Sequence, residues 1–206
     1  MGILLLLGYV VLLALTIWQS RQISSLRQQL STHILHDQLT GLYHRRQLIK
    51  LAEQEINRAQ RKNSTVSALL VDLDDCSKIN HQYGHLAGDL ALQHVAKAAI
   101  ESIRDFDLAG RFSGEEIILI LPDTDQKGAE VVAERLREKV KQTTVELPDR
   151  FALDVTITIG LACTHNETET LEDLLLTADT ALRQAMLEGN DRIHCYRPDE
   201  GVSGST

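Results

Sequence analysis

The sequence predicts an α+β fold, a mixed β-sheet flanked by helices, with an N-terminal transmembrane helix ahead of it. Three observations carry this. Apolar strand-like runs alternate with helix-period segments from about residue 45 onward. One pair of strands is linked closely enough to form an antiparallel hairpin. Residues 3–18 are apolar and carry no charge.

The elements follow in order. Ile3 to Trp18 is interrupted only by Gly8 and Thr16, and at ~1.5 Å per residue it spans roughly 24 Å. No basic residue precedes it and no A-x-A-like site follows, which argues against a cleaved signal peptide. Leu6 stands where a myristoylation signal needs Ser or Thr. Arg21 and Arg27 follow the run, so the positive-inside rule puts the C-terminal side in the cytoplasm. The expectation is an uncleaved signal anchor over residues 1–20, N-terminus out. Ile23, Leu26, Leu30, Ile34 and Leu35 then recur at helical spacing, predicting a helical stalk over 21–36, either monomeric or paired as a short parallel coiled coil.

A globular domain is expected over 37–197. Helices are predicted over about Arg45 to Arg61, His85 to Arg104, Gln126 to Gln142 and Leu171 to Glu188. Strands are predicted over Thr65 to Leu73, Leu153 to Ala162 and Arg192 to Tyr196, with the hairpin at about Ala109 to Leu121. Residues 198–206 are expected to be a disordered tail.

The formal net charge of −8 excludes duplex nucleic acid as a partner, because phosphate binding needs a basic face. Cys76, Cys163 and Cys195 are odd in number, far apart and without CxxC spacing, a pattern of reduced thiols in a cytosolic compartment.

Chemistry concentrates in a few places. Gly110-Arg111-Phe112-Ser113-Gly114-Glu115-Glu116-Ile117 puts two adjacent carboxylates at a hairpin tip with small residues before them, suited to a close phosphate approach and a divalent metal. Val71-Asp72-Leu73-Asp74-Asp75 ends a buried strand in carboxylates. Asn80 and the segment Tyr83-Gly84-His85-Leu86-Ala87-Gly88-Asp89 follow. Asp89 either caps a helix or reads the N1 and N2 hydrogens of guanine, with an Asn amide beside it.

These segments, with Asp37-Gln38-Leu39-Thr40-Gly41-Leu42-Tyr43-His44-Arg45-Arg46 and Ala178-Asp179-Thr180-Ala181-Leu182, resemble the GGDEF (diguanylate cyclase) family in order and spacing over about Asp37 to Tyr196. The resemblance implies a nucleotidyl-cyclase-like fold, a homodimer and a bacterial protein; with the expected anchor, that means the inner membrane, with the domain in the cytoplasm. It also implies chemistry that joins two GTP molecules into cyclic di-GMP. By the same resemblance Asp72, Glu115 and the Leu73 carbonyl are metal ligands for Mg²⁺ or Mn²⁺. Glu116 then ligates metal or helps activate the ribose 3′-hydroxyl, and Asn80 and Asp89 read guanine. Arg104-Asp105-Phe106-Asp107 resembles the family's R-x-x-D inhibitory motif, which implies cyclic di-GMP binding by Arg104 and Asp107.

The departures fall on the triphosphate grip. Ser113 and Ile117 replace the first Gly and the Phe of the signature, and His44 replaces an Asn. Ser77, Met186 and Asn190 stand where the family places Lys, Lys and Arg, and Glu188 and Asp191 add negative charge beside them. Losing three charge-assisted phosphate bonds costs on the order of 4 kcal/mol or more, about a thousandfold in affinity. Arg183, with Lys78 and Arg192 nearby, is the candidate replacement. The expectation is a membrane-tethered, catalytically impaired domain that binds cyclic di-GMP at Arg104 and Asp107 and signals to a protein partner. The alternatives are an active cyclase with product inhibition and a GTP-binding regulatory module.

Overall fold

The computed structural model describes Trp18 and residues 35–148, 151–164 and 168–196. The expected anchor and tail, and the stalk up to residue 34, lie outside these residues except for Trp18. No helix among the described residues is long and apolar enough to cross a membrane. The chain divides into a unit ending at Leu35 and a second unit from His36 onward, and the second carries the fold.

Its elements are β1 (Tyr43–His44), α1 (Arg45–Lys62), β2 (Val66–Leu73), α2 (Cys76–Tyr83), α3 (His85–Glu101), β3 (Leu108–Arg111) and β4 (Glu116–Pro122). Then come α4 (Gln126–Lys141), β5 (Val145–Glu146), β6 (Ala152–Leu153), β7 (Ile157–Cys163), α5 (Leu171–Glu188) and β8 (Ile193–Cys195). Six strands form one sheet in the order β1-β3-β4-β2-β7-β8, and β5 and β6 pair separately. The two outer pairings, β1 with β3 and β7 with β8, are parallel, and the inner ones are antiparallel. The sheet is mixed and flanked by helices, as the sequence predicts.

Both faces of the sheet are buried, which is why its central strands read as continuous apolar runs instead of alternating ones. Ile117, Leu119 and Leu121 of β4 join Val71 of β2 in the core under α3 and α4, while Ile118 and Ile120 join Leu70 in the core under α1 and α5. At Gly160 of β7 the second layer comes closest: a Cβ there would lie 2.3 Å from both the Ala178 carbonyl oxygen and the Leu182 nitrogen of α5. Only glycine admits that approach. Helix α5 begins with a capping box, the Thr170 hydroxyl receiving Asp173 N–H and the Asp173 carboxylate receiving Thr170 N–H.

Three local features differ from the sequence expectation. The helix predicted over His85 to Arg104 ends at Glu101, and a separate eight-residue α2 precedes it across Gly84, whose φ is 84°. The two-residue β1 and the β5–β6 ribbon are too short to leave a periodic signal. Strand β7 starts only at Ile157 and ends at Cys163, one residue beyond the predicted Ala162; of the predicted start only Leu153 is strand, in β6, and residues 154–156 belong to neither strand.

Candidate nucleotide and metal site

Asp72, the last residue but one of β2, sits between Glu116 of β4 and Thr158 of β7 in the sheet register. Glu115 precedes Glu116 at the hairpin tip. Burial, then the charges of Glu115, Glu116 and Asp74, push the Asp72 carboxyl up from 3.8 to about 7. A half-buried carboxyl set among three other carboxylates suits a bound divalent cation, which would relieve both the repulsion on Asp72 and its desolvation. Among the described residues no group of three His, Cys, Asp or Glu side chains is arranged to hold a metal ion unaided. A hard cation here would therefore complete its shell with backbone or ligand oxygens, in keeping with the Leu73 carbonyl and phosphate oxygens implied by the family resemblance.

The hairpin is held in place from outside. Arg111 donates from Nη2 to the Gly114 carbonyl at 2.7 Å and from Nη1 to both carboxylate oxygens of Asp37, at 3.2 and 3.3 Å. Partial burial opposes ionisation of Asp37, yet the Thr40 hydroxyl and N–H and the Arg111 charge outweigh it and hold the carboxyl below its usual range. The Asp37 turn and the carboxylate-bearing tip are thus joined through one guanidinium. Ser113 is more than tolerated: its hydroxyl donates to the Glu116 carboxylate.

Asn80, on α2, lies against Gly88 of α3, where a Cβ would meet its Oδ1 at 2.2 Å. That close seat places Asp89 in the next position along, exposed in the second turn of α3. Asp89 does not cap this helix, because the residue at the cap is Gly84. Cys76 links the two groups of side chains: its sulfur accepts from Asn80 Nδ2 at 3.6 Å, and its thiol bonds the Glu115 carboxylate. Burial, with Glu115 next, pushes that thiol up to about 12.

Asp74, by contrast, is fully committed to structure. Its buried carboxylate accepts from Thr156 Oγ1 at 2.7 Å, Thr158 Oγ1 at 2.5 Å and the Asp191 N–H at 3.0 Å. It pins the turn after α5 to the acidic end of β2. Asp191, at φ 58°, points its own carboxylate at Arg137 Nη1 and Lys141 Nζ, each 2.5 Å away. The charge that looked adverse in the sequence is balanced from α4.

Arg183, the candidate replacement, and the two cations near it are each engaged by a neighbouring carboxylate. Lys78 pairs with Asp75 at 2.6 Å, Arg192 with Glu188 at 3.1 Å, and Arg183 with Asp179 at 2.7 Å. Arg183 thereby reaches back one helical turn, whereas Met186 and Asn190 lie ahead of it.

Away from the hairpin, Arg104 N–H donates to Asp107 Oδ2 at 2.8 Å. Asp107 is 8% exposed, and its Oδ1 has no hydrogen-bond partner. The Arg104 guanidinium lies 5.7 Å from the Phe106 ring centroid. Arg135 of α4 lines a hollow with Arg104 and donates to the Ser102 carbonyl. Sequence reasoning missed it, because only the packing of α4 against the end of α3 brings it there.

The family model for the diguanylate cyclase GGDEF domain matches residues 34–192, and the chain belongs to this family. Among its relatives is the response regulator PleD of Caulobacter vibrioides, 39% identical over 158 residues, which are 76% of this chain and 35% of that protein. Another is diguanylate cyclase A of Treponema denticola, 36% identical over 138 residues, 67% of this chain and 37% of that one. The chain thus spans about a third of the length of these relatives. Among solved structures, the diguanylate cyclase SiaD of Pseudomonas aeruginosa, in complex with its activator SiaC, superposes with a TM-score of 0.76 at 32% identity, covering 88% of this chain and 69% of that one. The active GGEEF domain of a diguanylate cyclase from Vibrio cholerae gives 0.70 at 28% identity, covering 75% and 97%.

Proposed function

We propose that this GGDEF domain is a membrane-tethered receptor in cyclic di-GMP signalling, impaired in catalysis, with Arg104 and Asp107 as its ligand-binding residues. The observation that carries the reading is the fate of the cations. Ser77, Met186 and Asn190 offer no charge to a triphosphate, and Lys78, Arg183 and Arg192 are each occupied by a carboxylate of their own. Exposed pairs of this kind are weak, at about 0–1 kcal/mol, so GTP can compete for Arg183, but only by displacing Asp179. Asp107, meanwhile, keeps a buried acceptor unspent beside the Arg104 guanidinium.

The second reading is an active cyclase. It is favoured by the adjacency of Asp72, Glu115 and Glu116, with Asn80 and Asp89 kept. In it, Mg²⁺ or Mn²⁺ held by Asp72, Glu115 and the Leu73 carbonyl would supply charge neutralisation at the phosphates. Glu116 would accept the ribose hydroxyl proton, Asn80 and Asp89 would orient the guanine, and two subunits would each present one GTP. In either reading residues 1–20 anchor the protein in the bacterial inner membrane with the domain in the cytoplasm, and a protein partner or a second copy receives the signal.

GTP turnover with Mg²⁺ or Mn²⁺ by protein freed of bound nucleotide separates the two. The expected result is turnover near background, with cyclic di-GMP binding abolished in Arg104→Ala. Robust turnover that Glu116→Gln removes would establish the cyclase instead.

A further inference from the structure

The hollow beside Asp107 has a wall that the R-x-x-D tetrapeptide does not supply. A cavity of about 210 Å³ opens between the end of α3, the start of β3 and the turn that begins the domain. Arg104 and Asp107 line it, and so do His36 and Tyr43. The two rings stack with centroids 4.7 Å apart and an interplanar angle of 24°. Their backbones form an isolated antiparallel bridge, and His36 Nδ1 lies 3.0 Å from the Gly41 carbonyl oxygen. Ile100 and Ile103 add apolar surface.

These parts suit one kind of ligand. Aromatic side chains offer a π-face on which a nucleobase stacks. The free Oδ1 of Asp107 is a buried acceptor in want of a donor; guanine presents N1–H and N2–H side by side to a carboxylate, whereas adenine sets its N6–H donor beside an N1 acceptor whose lone pair a carboxylate repels. The Arg104 guanidinium is suited to a phosphodiester.

We infer that His36 and Tyr43 form the stacking wall of a single-base pocket, with Asp107 reading a guanine edge and Arg104 holding the attached phosphodiester. This rests on the reading of Arg104 and Asp107 as ligand-binding residues and adds the wall to it. The wall has a mechanical consequence. Tyr43 pairs with Gly110 of β3, and Asp37, beside His36, holds Arg111 and through it the Gly114 carbonyl of the acidic hairpin. A base on this wall bears on the turn where the domain begins.

The test is calorimetric titration of the full-length protein, in detergent micelles, with cyclic di-GMP. Tyr43→Ala and His36→Ala are each expected to weaken binding by roughly ten- to a hundredfold, the usual effect of removing one stacking partner. Tyr43→Phe, which keeps the ring, should stay within about threefold of the parent. Cyclic di-AMP should bind far more weakly than cyclic di-GMP, and the guanine ligand should slow amide exchange over residues 36–43. Unchanged affinity in both alanine variants, with binding still lost in Arg104→Ala, would overturn the wall and leave the Arg104 site standing. Absence of cyclic di-GMP binding in the parent protein would overturn both. Equal affinity for the two dinucleotides would overturn the role given to Asp107.

Discussion

Asp72 shows how far one residue's environment can move its chemistry. Its folded pKa of about 7 lies above the ordinary 3.8, so the folded chain holds that proton more tightly than the unfolded chain. The contribution to stability is therefore fully present below about pH 3.8 and is lost as pH rises to 7. Metal-free protein should show this fall in its melting temperature, and Asp72→Asn should flatten it. A divalent cation competes with the same proton, so Mg²⁺ affinity should drop as pH falls below about 7, by up to about tenfold per pH unit. Metal titrations at pH 6 and pH 8 would check it. Asp74, two residues on, has equal formal charge and a different task, because two threonine hydroxyls and the Asp191 N–H consume its acceptors.

At the scale of elements, the packing of α5 on β7 is the contact with least tolerance. Gly160→Ala would push a methyl group into the backbone of α5 at Ala178 and Leu182, and neither helix nor central strand can yield cheaply. The expected cost is about 3 kcal/mol or more, read as a shift in the urea midpoint at unchanged slope. Gly114→Ala is the natural control. Its Cβ meets nothing within 4 Å, so stability should stay within ~0.5 kcal/mol. Helix α2 belongs to this scale too. Its eight residues are too few for periodicity to announce, yet it carries Asn80 and presses it against Gly88. The pattern of apolar runs predicts the long helices and central strands, because burial on both faces writes itself into composition. It does not predict β1, whose two residues form strand only because β3 lies alongside.

For the whole molecule, the proposed receptor and the alternative cyclase differ in what charge placement must do. Restoring cations by Ser77→Lys, Met186→Lys and Asn190→Arg together should raise GTP affinity by roughly a hundred- to a thousandfold. GMP affinity should change far less, since the β- and γ-phosphates gain most from the added charges. Calorimetry with both nucleotides measures this. A GTP affinity that does not move would mean that the last turn of α5 and the turn after it, pinned by Asp74 to the end of β2, hold positions 186 and 190 out of reach of the phosphates.

The family, the mixed sheet and the identity of the acidic, guanine-reading and R-x-x-D candidates were determined by the sequence alone, because each is a local pattern of residue types at short spacing. What the tertiary structure decided involves residues far apart in the chain. It placed the Asp191 N–H against Asp74, across 117 positions, and the Asp191 carboxylate against Arg137 and Lys141. It brought Arg135 beside Arg104, joined Arg111 to Asp37, and faced the rings of His36 and Tyr43 toward the hollow of Asp107. None of these pairs has a spacing that helix or strand periodicity records. They exist because the sheet order β1-β3-β4-β2-β7-β8 folds separate segments onto common edges, where desolvation makes each pairing count.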